Sequence, residues 1–390
     1  MPYINSSVPN FSKRCITLAV IAPLLVACNV VEQESEDPAA LSQVAGMAEV
    51  SPEKAITRQI SAQVDELVSQ FEDDFGGGIM VIQAGEIVYQ NGYGLADREQ
   101  KIPITPDTIF HLGSVGKQFT AMGVLILVDR GQVDLDTPIS AYIPELSWMD
   151  AGVTVRRLLH HTSGVMGYDD NDDIYDALLA LSPAPDNEDV LTAISQFPAM
   201  LSDPGDEFYY SNTGYDLLGL LIERISDQPY GRFMRDNLFM PLAMANTFAL
   251  PSDRRFGDNV AQSYDASGPY EPDVLDHVNG SGSIYSTLGD MYVYDQALYT
   301  DALVSQDLLE EMFTSGTLNN GQDTRYGFGF DVDTYAGYDY AGHQGSWLGF
   351  DVYYLRFPEE SLSVVVLLNQ NDAEPHSVEI AFAVAELYLR

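Results

Sequence analysis

Cysteine and basic residues are scarce in this chain, and each shortage excludes a class of protein. The 390 residues include two cysteines, Cys15 and Cys28, too few for a disulfide framework or a cysteine-rich zinc site. Lysine and arginine number 18 against 58 acidic residues, so the formal charge is -40. Such a charge opposes binding to nucleic acid and to anionic membrane surfaces. With 46% hydrophobic residues, however, the chain has enough apolar side chains for a folded core.

Several motifs of familiar catalytic sites are also missing. The chain has no Gly-x-Ser-x-Gly, no His-Glu-x-x-His and no Gly-x-x-x-x-Gly-Lys-Ser/Thr sequence. We expect His160 and His161 on different faces of a helix end, and we interpret His161 as a structural residue. Residues 169–173 begin like a calcium loop, but Ile174 and Ala180 replace the required glycine and glutamate. We therefore predict a solvated acidic loop there, and neither a metal nor a cofactor.

The first residues are typical of an export signal. Lys13 and Arg14 precede an apolar stretch, residues 16–27, that is too short to span a membrane. The sequence Leu-Val-Ala-Cys at 25–28 resembles a bacterial lipobox, so we expect residues 1–27 to be a lipoprotein signal peptide and Cys28 to be lipidated. We expect residues 28–53 to form a flexible acidic tether to a domain over 54–390. The prediction is an exported bacterial lipoprotein anchored through Cys28; an ordinary cleaved signal is the alternative.

The remaining chain has strand-like patterns near both ends and helical patterns between them. Helical spacing of apolar residues predicts helices over residues 52–75, 114–130 with Gly131 as the terminating glycine, 154–160, 215–225 and 378–389. Strand-like patterns cover residues 79–83, 87–90, 326–332, 349–357 and 362–368. We predict an α/β fold of the α+β type, in which a sheet with flanking helices is built from both chain ends. A mostly helical region, about 111–275, is inserted between them.

Ser114 and Lys117 lie three residues apart at the start of a predicted helix, so their side chains share one face. A serine hydroxyl becomes a good nucleophile when a base takes its proton, and lysine is such a base when burial lowers its pKa. The free amide of Ser114 at the helix start could stabilise an oxyanion. A capping serine followed by a surface lysine is the alternative. The chain has only four lysines, which favours the catalytic interpretation.

Two further groups of polar residues could complete such a site. Tyr210 could be a general base beside a lysine, and Asn212 could hydrogen-bond a substrate carbonyl. Alternatively, Tyr210 packs on the core while Asn212 or Thr213 caps the next helix. In the sequence His343-Gln-Gly-Ser, Gly345 permits close approach of the backbone, and the next amide could complete an oxyanion hole.

Taken in this order, the three groups resemble those of the serine β-lactamase and penicillin-binding-protein family. The resemblance is to the class C branch, which also contains esterases and D-peptidases, and a Ser-x-x-Lys motif is known for related enzymes. It extends from about Ala55 to the C-terminus. Further similar segments are residues 102–110, 134–136, 158–164, 204–219 and 286–298. The resemblance implies a β-lactamase/transpeptidase-like fold with an antiparallel sheet.

The resemblance also implies roles for individual residues. Ser114 would form an acyl-enzyme, while Lys117 and Tyr210 would move protons and Asn212 would position Lys117 and the substrate. The amides of Ser114 and of Ser346, which follows Gly345 on an edge strand, would bind the oxyanion.

One residue departs from the β-lactamase pattern. His343 replaces the lysine that helps to bind a β-lactam carboxylate, and a neutral imidazole is a weaker anchor for an anion. This favours an ester or a peptide-like substrate. A β-lactamase proper and a catalytically silent ligand-binding protein are the alternatives, and the oligomeric state is left open.

Overall fold

The computed structural model describes residues 52–70, 76–250, 259–372 and 374–389. The predicted signal peptide, Cys28 and the tether up to residue 51 lie outside them. Within these ranges the helices are α1 (Pro52–Val68), α2 (Gly116–Asp129), α3 (Val155–Leu159), α4 (Asp172–Leu181), α5 (Asn187–Gln196), α6 (Asn212–Ser226), α7 (Tyr230–Met234), α8 (Leu288–Ala297), α9 (Gln306–Met312) and α10 (Ser377–Glu386). The strands are β1 (Gly77–Gln83), β2 (Glu86–Tyr93), β3 (Leu95–Asp97), β4 (Ile102–Pro103), β5 (Phe110–His111), β6 (Phe248–Ala249), β7 (Tyr264–Asp265), β8 (Gly268–Pro269), β9 (Ile284–Ser286), β10 (Asp331–Tyr335), β11 (Tyr338–Trp347), β12 (Phe350–Phe357) and β13 (Leu362–Leu368).

Strands from both ends of the chain form one antiparallel sheet. Its order is β10-β11-β12-β13-β1-β2, so the N-terminal hairpin β1-β2 pairs directly with the last strand. In that pairing Gly77 is opposite Leu368 and Gln83 is opposite Leu362. A turn at Ala84 and Gly85, both with positive φ, joins β1 to β2. The predicted sheet built from both chain ends is therefore confirmed.

Alternation of side chains gives this sheet two buried faces. On one face, Val364 and Val366 of β13 pack with Ile380 and Val384 of α10. On the other face, Val365 and Leu367 belong to the large core that also contains α2 and α8. Because both faces are covered, β13 has seven consecutive buried residues, which explains its uninterrupted apolar sequence.

Helix α2 lies at the centre of the larger core. All its residues from Gly116 to Leu127 are buried, which accounts for an apolar sequence with little polar face. Residues 113–115 form a short 3-10 turn before it, and Arg130 is its C-terminal cap. Gly131 follows with φ +66°, as predicted for a terminating glycine.

Two predictions about strands near the site differ from the observed structure. The strand predicted at 326–332 is wrong, because β10 begins only at Asp331 and continues to Tyr335. The preceding residues bend because Gly329 has φ +78°, and a methyl group on it would lie 2.8 Å from the amide nitrogen of Gln118. The strand of Ser346, β11, is also not at the edge of the sheet. However, β10 pairs with β11 only as far as Gly342, so Ser346 extends beyond it.

Candidate active site

Ser114 lies in the tight turn that connects β5 to α2. The preceding Gly113 has φ +50°, a conformation that glycine adopts at little cost. A methyl group on Gly113 would lie 2.6 Å from the amide nitrogen of Ser346. A methyl group on Gly345 would overlap the carbonyl oxygen of Leu112. The turn and β11 are therefore in close backbone contact, and this contact brings the amides of Ser114 and Ser346 into the same region.

Lys117 is fully buried and contacts the hydroxyl of Ser114. Its Nζ atom donates to Ser114 Oγ at 3.0 Å, to Asn212 Oδ1 at 2.8 Å and to the carbonyl oxygen of Ser281 at 2.8 Å. These acceptors match the three N–H bonds of an ammonium group. Burial lowers the pKa of Lys117 to about 7, although Asp216 and Asp169 act in the opposite direction. Near neutral pH, this lysine can therefore hold or release a proton next to Ser114.

Asp216 supports Lys117 from the first turns of α6. Its Oδ1 atom accepts a hydrogen bond from the amide of Ser281 at 3.0 Å, and the carbonyl of Ser281 accepts from Lys117. Burial raises the pKa of the Asp216 carboxyl, while the hydrogen bonds from Ser281 and the charge of Lys117 lower it. The negative charge of Asp216 thus favours the charged form of Lys117, and the positive charge of Lys117 favours the charged form of Asp216.

Asn212 joins Lys117 to a carboxylate on the opposite side. Its Nδ2 atom donates to Asp169 Oδ2 at 2.9 Å, which leaves Oδ1 to accept from Lys117. The alternative interpretation, in which Asn212 or Thr213 caps α6, is wrong. The cap is Ser211, whose Oγ accepts from the amide of Gly214 at 3.2 Å. The side chain of Asn212 is consequently available for the site.

The acidic run 169–173 is more than a solvated loop. Asn171 caps α4 through the amides of Asp173 and Ile174, so part of the run starts a helix. Asp169 is solvent-exposed on one side and bonded to Asn212 on the other. Partial desolvation and the neighbouring Asp170 raise the pKa of Asp169, and the bond from Asn212 lowers it.

Tyr210 places its ring beside Lys117, with the Nζ atom 4.8 Å from the ring centroid. His161 fixes the backbone around it. The Nδ1 atom of His161 accepts from the amide of Ser211 at 3.1 Å, and its carbonyl accepts from the amide of Tyr209 at 2.8 Å. The ring centroids of His161 and Tyr210 lie 4.3 Å apart. His161 thus has a structural function in this molecule, and that function is to hold the Tyr210 loop.

His343 lines the site from β11 as a neutral ring. Its Nδ1–H donates to the carbonyl of Gln344 at 2.6 Å, so Nε2 accepts from the hydroxyl of Tyr326 at 3.0 Å. Burial and, to a smaller extent, the charge of Lys117 lower the pKa of His343 to about 3. Both nitrogens already have protein partners, so the ring offers neither a charge nor a free donor to an anionic ligand.

Four residues near the site were not among the predicted ones. Asp169, Ser281 and Tyr326 hydrogen-bond to predicted site residues, and Asp216 accepts from Ser281. Two had recognisable signals. Asp216 is the single charged residue in the apolar stretch 213–222, and Ser281 lies between two glycines that permit close backbone approach. Asp169 and Tyr326 carry no such signal, because their neighbours come from distant parts of the chain.

The described residues contain no group of three or more His, Cys, Asp or Glu side chains arranged to hold a metal ion. Among those same residues, we find no helix long and apolar enough to cross a membrane.

A family model described as Beta-lactamase matches residues 64–389. The chain belongs to this family.

Related proteins agree with this assignment. Penicillin-binding protein 4* of Bacillus subtilis is 28% identical over 329 residues, which cover 76% of this chain and 69% of that protein. The D-aminopeptidase of Gluconobacter oxydans is 25% identical over 82% of this chain and 60% of its own length. The crystal structure of a D-amino acid amidase from Ochrobactrum anthropi, complexed with D-phenylalanine, superposes with a TM-score of 0.68 at 25% identity. The superposition covers 86% of this chain and 99% of the amidase chain. The protein is thus a serine hydrolase of the β-lactamase and penicillin-binding-protein family.

Proposed function

We propose that this protein hydrolyses an amide or ester through an acyl-enzyme on Ser114. One observation supports this most directly: the Nζ atom of the buried Lys117 lies 3.0 Å from Ser114 Oγ. Burial brings the pKa of this lysine to about 7, which makes it an effective base at neutral pH.

In the acylation step, Ser114 Oγ forms a bond to the substrate carbonyl carbon and its proton passes to the neutral amine of Lys117. The carbonyl π electrons move onto oxygen, where the amides of Ser114 and Ser346 stabilise the negative charge. When the intermediate collapses, the bond to the leaving group breaks. That amine or alkoxide takes a proton through Lys117 and Tyr210, and an ester to Ser114 is left.

Deacylation reverses the proton path with water in place of the leaving group. Water loses a proton to the Lys117 and Tyr210 pair as its oxygen attacks the ester carbon. Collapse then breaks the bond to Ser114 Oγ, which recovers a proton, and a carboxylic acid is released.

The polar surroundings favour a neutral or amine-bearing substrate over an anionic one. His343 is neutral with both nitrogens bonded, so it lacks the charge that would attract a β-lactam carboxylate. The exposed carboxylate of Asp169 is linked to Lys117 through the side chain of Asn212, and it would attract an ammonium group on the substrate. The names of the D-aminopeptidase and D-amino acid amidase relatives support a D-amino amide or peptide as the first substrate class to test.

A fluorophosphonate probe and a substrate panel test this proposal. The probe is expected to label the wild-type protein but not Ser114→Ala. The control is Ser69→Ala, which replaces an exposed serine distant from Ser114 in sequence and should be labelled normally. The panel contains a D-phenylalanine amide, a p-nitrophenyl ester and a chromogenic cephalosporin. Labelling that survives in Ser114→Ala would place the nucleophile elsewhere, and absence of both labelling and turnover in the wild type would favour a silent ligand-binding protein.

We also propose that the protein is exported and lipid-anchored through Cys28. The sequence at 25–28 supports this. We expect labelled palmitate to be incorporated into the wild-type protein and not into Cys28→Ala. Equal incorporation into the two proteins would contradict the proposal.

A further inference from the structure

His111 is a buried histidine three residues before Ser114, and it is not part of the proton path. Its Nδ1 atom accepts a hydrogen bond from the amide of Gly113 at 2.9 Å. This acceptor requires a ring without a proton on Nδ1. Burial lowers the pKa of His111 to about 3, so the ring is neutral at physiological pH.

The ring of His111 is held by its neighbours on several sides. Its centroid lies 4.7 Å from that of Tyr285, in an edge-to-face arrangement, and these two residues are paired between β5 and β9. Phe350 and Trp347 lie 6.0 and 6.4 Å away in stacked orientations. Trp347 is also fixed, because its Nε1 donates to Asp276 at 2.8 Å. Packing thus locks the position of the Nδ1 acceptor.

The amide held by His111 belongs to the turn that sets the oxyanion geometry. Gly113 is in a left-handed conformation, and it lies against the amide of Ser346. Small displacements of oxyanion donors are costly, since removal of one donor typically lowers kcat by about 100- to 1,000-fold. A bond that fixes Gly113 therefore also fixes the amide of Ser114 relative to that of Ser346.

We propose that His111 is a positioning residue that aligns the two oxyanion amides through its bond to Gly113. This inference rests on the proposed acyl-enzyme function of Ser114. It predicts that the loss of the Nδ1 acceptor affects stabilisation of the tetrahedral intermediate more than substrate binding.

Two substitutions separate the acceptor from the packing. His111→Phe keeps an aromatic ring and removes the acceptor, whereas His111→Asn removes the ring and keeps an oxygen near the position of Nδ1. Phe248→Leu is the packing control, because Phe248 stacks on Tyr285 at a centroid distance of 5.1 Å and belongs to the same group of buried rings, but it is not among the rings that hold His111. If His111→Phe fails to fold, His111→Leu gives the same comparison in a smaller side chain.

The measurements are kcat and KM for the best substrate of the panel, and the inhibition constant of a phenylboronic acid, which forms a tetrahedral adduct on serine. In His111→Phe we expect kcat to fall about 10- to 100-fold, KM to change less than about threefold, and the boronate to bind about tenfold more weakly. His111→Asn should recover most of both losses, and Phe248→Leu should lower the unfolding temperature with little effect on kcat or on boronate binding.

Unchanged boronate affinity in His111→Phe, or equal losses in both His111 variants, would overturn the inference. Failure of the proposed function would be recognised separately, because wild-type protein would then show neither Ser114-dependent labelling nor turnover.

Discussion

Asn212 donates its amide hydrogen to Asp169 across 2.9 Å while its carbonyl oxygen accepts from Lys117. One side chain therefore connects a solvent-facing carboxylate to the buried amine that contacts Ser114. The exposed end of this hydrogen-bond chain is suited to contact with substrate, and the buried end to proton transfer.

Replacing Asp169 by Asn is expected to weaken recognition of an ammonium group on the substrate. The variant keeps an oxygen that can accept from Asn212 but loses the charge, and an exposed ion pair contributes up to about 1 kcal/mol. We expect KM for a D-phenylalanine amide to rise roughly fivefold, with KM for its N-acetylated form unchanged. Asp172→Asn, in the same acidic run, is the control. Equal effects on both substrates would contradict an ammonium contact.

Activity should depend on pH through Lys117. The proposed base is its neutral amine, and burial places the pKa at about 7. Hence kcat/KM should rise about tenfold per pH unit below 7 and level off above about pH 8. Lys117→Arg, which keeps its proton in this range, should lose at least about 100-fold in activity, whereas Lys101→Arg on the exposed surface should not. If kcat/KM of Lys117→Arg still rises with pH below 7, the titrating group is a residue other than Lys117.

The same lysine should also affect stability. Its folded pKa lies below the unfolded value of 10.5, so between about pH 7 and 10.5 the unfolded chain holds the proton and the folded chain does not. Below pH 7 the buried charge of Lys117 therefore lowers the free energy of unfolding. Between about pH 7 and 10.5 this penalty decreases, so the free energy of unfolding rises with pH. Urea unfolding of Lys117→Met should lack this part of the slope, and an unchanged profile would contradict the shift.

Replacing His161 by Leu should disturb the Tyr210 loop. The amide of Ser211 would lose its acceptor, and a buried unsatisfied donor costs about 1 to 3 kcal/mol. We expect a lower midpoint of urea unfolding and a kcat reduced about tenfold. His161→Asn should be milder, because asparagine accepts a hydrogen bond and tolerates the φ of +56° at this position. Similar losses in the two variants would indicate that packing alone is responsible.

Replacing Gly345 by Ala should inactivate the protein and destabilise it by about 1 to 3 kcal/mol or more. The added methyl group would overlap the carbonyl oxygen of Leu112 and push β11 away from the Ser114 turn. Gly289→Ala is the matched control, because the nearest atom to its new methyl group is 3.8 Å away in an ordinary helix. That change should be neutral or stabilising by about 0.5 to 1 kcal/mol. Full activity in Gly345→Ala would mean that the close approach is not needed.

The sequence was most informative where the chemistry is local. The three-residue spacing of Ser114 and Lys117 correctly predicted that their side chains meet, although Ser114 lies in the 3-10 turn that precedes α2. The uninterrupted apolar run of β13 correctly predicted a buried strand. Contacts between distant segments were harder to predict. The bond from Asn212 to Asp169 joins residues 43 positions apart, and the sequence alone did not show that Ser211 would cap α6 in place of Asn212. The bend at Gly329 likewise depends on the close passage of α2, which the strand-like pattern around it does not encode.

The pairing of β1 with β13 has a consequence for the order of assembly. Residues 77–83 cannot acquire one of their two neighbouring strands until residue 368 has been synthesised, within the last stretch of the 390-residue chain. A nascent chain that ends before β13 therefore lacks the strand that lies between β12 and β1, so its two halves of the sheet cannot yet be joined.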